Sequence, residues 1–273
     1  LVQTDAGNTD ADKVDAADED QAIIAQDTEA EADTETDTEA EADTETDTED
    51  VAEEAEPVAE EPASEPVPAV PLEATREAIK FVDVPDDYWA KPYIDALSER
   101  KVIDGIGPEK FEPDAPVNRA QLASAISQAF PLEDRESAIA FSDLEIDYWA
   151  TDAIDKTVKG GYMNGFPDKS FQPTLPVPRV QVLTALITGL NNNFVGDAAQ
   201  VLDRYQDTDQ VPEWALSKMA AATQSNIVVN YPNLDTLNPN QPATRAEVAA
   251  MIYQTLVAQG RIEPIAGDYV VQP

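Results

Sequence analysis

Three arginines, Arg119, Arg179 and Arg245, occupy the same place in a recurring register and are the side chains best suited to holding an anion. A planar guanidinium offers a carboxylate two parallel N–H donors, and a charge-assisted bond of this kind is worth about 1.5–3 kcal/mol when shielded from water. Each arginine follows a proline (Pro113, Pro173, Pro239) by six residues. Upstream, Gly105, Gly165 and Asn230 each lie sixteen residues after a tryptophan, and Trp89, Trp149 and Trp214 are the three tryptophans of the chain. Asp83, Asp143 and Asp207 each sit two residues after an aromatic, Phe81, Phe141 or Tyr205. The third copy carries one extra residue, so its Trp-to-Pro interval is 25 instead of 24. An arginine in the first turn of a helix faces the positive end of the helix dipole, so three such placements point to a use, either ligand contact or inter-repeat ion pairs. The tryptophans can pack in the core or edge a groove. The aspartates can cap the first helix of each repeat or join a site.

Composition removes many alternatives. The 273 residues contain no His and no Cys, which excludes imidazole acid–base chemistry, thiol nucleophiles, zinc-thiolate sites and disulfides. A formal charge of −38 argues against nucleic acid as a partner, because phosphates are gripped by Lys and Arg. No stretch approaches the roughly 20 apolar residues that span a bilayer. The chain opens at Leu1 without a basic, then apolar, leader, which leads us to expect a processed form or a fragment.

The charge is uneven: residues 1–80 carry −25 and residues 81–273 carry −13, while all 18 aromatic residues lie at or beyond Phe81. A segment so charged and so poor in large apolar groups cannot offset chain entropy, so 1–80 is expected to be disordered. Within it, 1–55 is an acidic tail in which the decapeptide EAEADTETDT occurs twice over 29–48. That suggests a solvated spacer or a cation sponge, but a Gly-centred calcium loop is missing and no metal or cofactor is expected. Residues 56–80 form a Pro-rich linker with polyproline II character. Repeat 1 spans 81–140, repeat 2 spans 141–204, and repeat 3 with a C-terminal extension spans 205–273.

Apolar residues recur at helical spacing after each Trp (Tyr93, Ile94 and Leu97; Ile154 and Val158; Met219 and Ala222) and again after each Arg (Leu122, Ile126; Val182, Leu186; Val248, Ile252). The first helix of each repeat is expected to end near Gly105, Gly165 or Asn230, where a left-handed residue could close it. A Pro-containing turn follows (EKFEPDAP, KSFQPTLP, DTLNPNQP). The second helix then opens with capping boxes at Asn118/Gln121 and Thr244/Glu247, and with an uncapped Pro178 in repeat 2. Each unit reads as helix–turn–helix, too small to bury its apolar faces alone, so the three are expected to share one all-α core.

The opening FVDVPDDYW at Phe81–Trp89, the run NGFPDKSFQP at Asn164–Pro173 and TRAE at Thr244–Glu247 resemble the S-layer homology family over roughly 81–258. The resemblance implies a pseudo-threefold bundle of three helix–turn–helix repeats in an extracytoplasmic cell-envelope protein without enzymatic activity. It also implies binding of cell-wall polysaccharide linked to peptidoglycan, often bearing pyruvylated sugars, in grooves between repeats. Carried onto this chain, the ligand-binding residues are Arg119, Arg179, Arg245, Asp83, Asp143, Asp207, Trp89, Trp149, Trp214, Gly105 and Gly165. Repeats 1 and 2 depart from TRAE (NRAQ at Asn118–Gln121, PRVQ at Pro178–Gln181), and Asn230 replaces the glycine in repeat 3. Other readings are a scaffold for envelope proteins and an acidic calcium-handling surface protein. Paired carboxylates could hydrolyse a glycan, but acids that recur threefold suit repeated binding better than one active site.

Overall fold

A computed structural model describes residues 70–107, 109–134, 139–145 and 147–272. The acidic tail 1–55, its decapeptides and the linker portion 56–69 lie outside the described residues. Among the described residues are seven α-helices and no strand: α1 (Lys91–Glu99), α2 (Arg119–Ala129), α3 (Thr151–Lys159), α4 (Arg179–Gly189), α5 (Ala198–Leu202), α6 (Leu216–Gln224) and α7 (Arg245–Ala258).

The repeat helices begin where sequence places them and end earlier. Asn118 and Thr244 each accept from the N–H three residues on and are answered by Gln121 and Glu247, so both capping boxes form, while Pro178 makes no side-chain cap. The first helices stop at Glu99, Lys159 and Gln224, well short of Gly105, Gly165 and Asn230. The left-handed residues that close them are Lys101 (φ 57°), Gly161 (φ 73°) and Asn226 (φ 57°). In each case the next N–H reaches back to close the turn: Val102 to the Leu97 carbonyl, Tyr162 to Thr157, and Ile227 to Ala222. Because Lys, Gly and Asn fill that position in the three copies, it carries no common letter. Gly105 and Gly165 are required by close approach instead. A Cβ at Gly165 would lie 2.2 Å from the Phe141 ring, and one at Gly105 would lie 2.8 Å from the Phe81 ring and 2.5 Å from the Lys110 carbonyl.

The main helix pairings run across repeats. Besides α5 with α6, the principal packing partners are α1 with α7, α3 with α2, and α6 with α4, so each first helix leans on the second helix of another repeat. Backbone bonds close the same cycle. The Val117 N–H donates to the Ala243 carbonyl, Ala243 to Val177, and Val177 to Val117. Around this ring the first N–H groups of the second helices, orphans in any helix, find the next repeat's turn: Arg119 to Leu175, Arg179 to Gln241, Arg245 to Ala115. The apolar faces of these helices meet in one cluster that includes Leu97, Leu122, Ile126, Ile154, Leu186 and Ile252. No repeat owns a core of its own.

Two flanking segments dock on this frame. Residues 70–80, expected to be disordered linker, instead bind it. The Leu72 N–H donates to the Arg261 carbonyl, those of Thr75 and Arg76 to Glu99, and Arg100 Nε to the Leu72 carbonyl. Leu72 and Ile79 pack against the apolar core. At the other end, Asn230 N–H donates to the Tyr269 carbonyl and Val271 N–H to Val228, with Val271 buried.

Replacing Gly165 by Ala is expected to cost about 1–3 kcal/mol through forced displacement of the Phe141 ring, whereas Gly107→Ala, with nothing within 4 Å of the added carbon, should leave the thermal midpoint unchanged.

Candidate functional site

The aspartates do not cap helices. Asp83 accepts from the N–H groups of Phe111 (2.9 Å) and Glu112 (2.7 Å), Asp143 from Phe171 (2.8 Å) and Gln172 (2.7 Å), and Asp207 from Leu237 (2.8 Å) and Asn238 (2.7 Å). In each pair the second residue is left-handed: Glu112 φ 56°, Gln172 φ 52°, Asn238 φ 49°. Two successive N–H groups thereby converge on one carboxylate, a backbone nest for an anion. For Asp83, burial pulls the pKa upward, but the Phe111 and Glu112 donors outweigh it and hold the carboxyl below its ordinary value.

The arginines hold the opposite side of the same peptide. Arg119 Nε donates to the Phe171 carbonyl (2.7 Å), Arg179 Nε to Leu237 (2.7 Å), and Arg245 Nε to Phe111 (2.6 Å). Each interface is therefore a clamp in which one repeat's guanidinium grips the carbonyl of a turn residue whose N–H is gripped by that turn's own aspartate. Cation–π contact reinforces two of them, Arg119 over Phe171 and Arg245 over Phe111, each at 4.4 Å. The remaining donors differ. Arg119 Nη2 donates to the Asn164 carbonyl (2.5 Å), and its guanidinium, 1 % exposed, is pulled down by burial to about 10, with Asp143 acting the other way. Arg179, also 1 % exposed, donates to the Val229 carbonyl and to Asn230 Oδ1 and lies 2.7 Å from Glu247, while burial again lowers its pKa. Arg245 is only half-buried. Its Nη2 reaches the Asp104 carbonyl (2.9 Å), and its Nη1 has no hydrogen-bond partner among the described residues.

Arg245 also lines a cavity of about 540 Å³. All three repeats contribute to its wall. Repeat 1 supplies the strip Lys101–Ile106, Phe111 and one face of α2 (Gln121, Ser124, Ala125, Gln128); repeat 3 supplies Arg245, Val248 and Ala249; repeat 2 supplies Trp149. Gly105 belongs to this wall. Trp149 is 62 % exposed and Trp214 44 %, so neither is core, whereas Trp89 is half-buried and stacks on Tyr231 at 5.0 Å between ring centres. The structure thus brings Arg245, Gly105 and Trp149 to one hollow. It places Arg119 and Arg179 within the interfaces, holds each aspartate on the turn of its own repeat, with Asp207 buried, Asp83 half-buried and Asp143 exposed, and leaves Gly165 beneath the Phe141 ring. Gln121, Ser124 and Gln128 were not anticipated as site residues, since each reads as an ordinary polar position on a helix.

The fold and its triplicated clamp define a three-repeat helical domain. Residues 80–123, 140–182 and 204–249 match the S-layer homology domain, and through this triplicated region the chain belongs to that family. Similar proteins include the amylopullulanase of Thermoanaerobacterium thermosulfurigenes (28 % identical, covering 67 % of this chain and 10 % of that protein). The surface-layer 125 kDa protein of Lysinibacillus sphaericus is 28 % identical (62 % of this chain, 14 % of that protein), and the cellulosome-anchoring protein of Acetivibrio thermocellus 26 % (54 % and 33 %). The chain thus spans a tenth to a third of these relatives' lengths, and the relative with an enzyme name matches over the repeat region. Domains of this family are binding and anchoring domains, and the proteins that carry them are cell-envelope surface proteins, which places this chain in the extracytoplasmic envelope.

Removal of a clamp should be costly. Arg119→Ala or Arg179→Ala is expected to lower stability by about 3 kcal/mol, because buried carbonyls lose charged donors, and urea midpoints would read the loss. Acid should act through Asp83. Its folded pKa lies below the unfolded value, so its contribution is present above the ordinary carboxylate range and fades as pH falls through the depressed value. Thermal midpoints taken downward from about pH 5 should decline more steeply for the wild type than for Asp83→Asn.

Proposed function

We propose that this chain anchors to the cell wall non-enzymatically, by binding peptidoglycan-linked polysaccharide in the cavity beside Arg245, within a pseudo-threefold bundle of three repeats. The observation that carries the reading is the cavity itself, since one hollow collects a half-exposed guanidinium, an exposed indole and the amides of Gln121 and Gln128 from separate repeats. Such a set matches a sugar bearing a carboxylate, as a pyruvyl ketal does. The free edge of Arg245 would meet the carboxylate, the amides would exchange bonds with hydroxyls, and the indole face would lie against the C–H face of the ring. The names of the relatives agree with this reading, one being called a surface-layer protein and another a cellulosome-anchoring protein.

The ligand sits in a field of unfavourable sign. With a net −38 the chain repels an anionic polymer at long range, and only short contacts inside the cavity attract it. Salt screens the long-range part first, with a Debye length of about 10 Å at 0.1 M. Association should therefore strengthen as salt rises from about 0.01 M to about 0.15 M, the reverse of a protein that steers its anion by net charge.

The purified chain is expected to sediment with isolated, insoluble cell walls. Ser124→Trp, which fills the cavity from the half-buried face of α2, should leave the helical circular dichroism intact and keep the protein in the supernatant. Sedimentation of that variant at the wild-type level would remove the cavity from the account.

A further inference from the structure

We infer that the wall ligand is taken once per chain, in the cavity beside Arg245, because this chain has closed the two equivalent positions with side chains of its own. The inference rests on the anchoring reading above and adds its stoichiometry and the residues that set it.

The positions are comparable because each lies beside one clamp arginine and the turn of another repeat, and in the first two Val102, Val117 and Gln121 answer to Tyr162, Val177 and Gln181. They diverge just past the end of the first helix. Thirteen residues after its tryptophan, repeat 1 has Val102, repeat 2 has Tyr162 and repeat 3 has Ile227. Beside Val102 the hollow holds about 540 Å³. Beside Arg119, where Tyr162 and Met163 form the wall, about 10 Å³ remains, room for about one water molecule and none for a sugar ring. The Tyr162 ring stacks on Phe130 at 5.4 Å and fills the space a side chain at Gly189 would need, since a Cβ there would fall 2.0 Å from the ring. The glycine at the end of α4 therefore makes room for the ring that closes the position.

The third position is closed by a different device. Asn230 stands where the other copies have glycine and turns its amide oxygen onto Arg179, whose guanidinium also lies against Glu247. The tryptophan of this position, Trp89, lies flat on Tyr231 with an interplanar angle of 6°, and Tyr269 meets Tyr231 edge-on at 4.8 Å. Tyr269 belongs to the C-terminal segment, which is held by the backbone bonds at Asn230 and Val271. The aromatic faces that Trp149 leaves open are thus occupied from within.

The exposed tryptophans separate this inference from three equal sites. Trp149 lines the large cavity, while Trp214, its exposed counterpart in the repeat register, lines neither that cavity nor the small one beside Arg119. The full chain would be titrated by calorimetry with short polysaccharide fragments released from isolated cell walls by muramidase. One fragment per chain is expected, with Trp149→Ala weakening affinity about tenfold or more and Trp214→Ala leaving it within about twofold. Two or three fragments per chain, or equal damage from both variants, would overturn the single-site inference while leaving wall anchoring in place. No heat and no uptake by the wild type would overturn the anchoring reading, and this inference with it.

Discussion

One peptide group per interface holds this fold together. An aspartate takes its N–H (at Glu112, Gln172 or Asn238), an arginine from another repeat takes its carbonyl (at Phe111, Phe171 or Leu237), and the same arrangement recurs three times. Helix packing alone would leave the three units free to slide, because ridges of alanine and leucine fit one another in several registers. A charged donor and a charged acceptor on opposite edges of one peptide fix the register, since a charge-assisted hydrogen bond is worth about 1.5–3 kcal/mol and each is lost if the turn slides past the arginine. Cross-repeat helix pairing and the ring of backbone bonds between Val117, Val177 and Ala243 follow from that constraint.

The clamp also explains how an acidic chain can keep arginines almost wholly buried. Each guanidinium is neutralised locally by carbonyl dipoles and, for Arg179, by Glu247, so no long-range field is needed. Glu247 serves twice, accepting from the Thr244 N–H in the capping box and facing Arg179, which joins a helix start to an interface. Repeat symmetry is then free to relax at the periphery. The same three positions carry an open hollow, a tyrosine plug and an aromatic stack, without disturbance of the peptide clamp beneath.

The arginines have a double character. Their place in the first turn, against the helix dipole, does signal a purpose, and at all three positions part of that purpose is structural. At Arg245 one edge of the guanidinium remains beyond its structural duties and faces the cavity. A side chain can bind a ligand well when its orientation is already held by other bonds, because little freedom is then lost on binding. The clamp that stabilises the bundle is also what would preorganise the proposed site.

Repeat register, helix starts and capping boxes were legible in the sequence because they depend on neighbours a few residues apart, and the Asn118/Gln121 and Thr244/Glu247 pairs formed as their spacing requires. The landmark glycines were legible as special, but their cause was not: Gly105 and Gly165 yield to an aromatic ring two dozen residues upstream, and the helix closures fall at Lys101, Gly161 and Asn226, where the copies share no letter. The docking of residues 70–80 escaped a reading by composition, since Leu72 and Arg76 find their partners only on a surface assembled from distant segments. Local chemistry along the chain determined what each repeat is. Which arginine faces a hollow was decided by the tertiary structure, because that depends on side chains meeting partners far from them in sequence: Tyr162 against Phe130 beside Arg119, and Asn230 and Glu247 against Arg179.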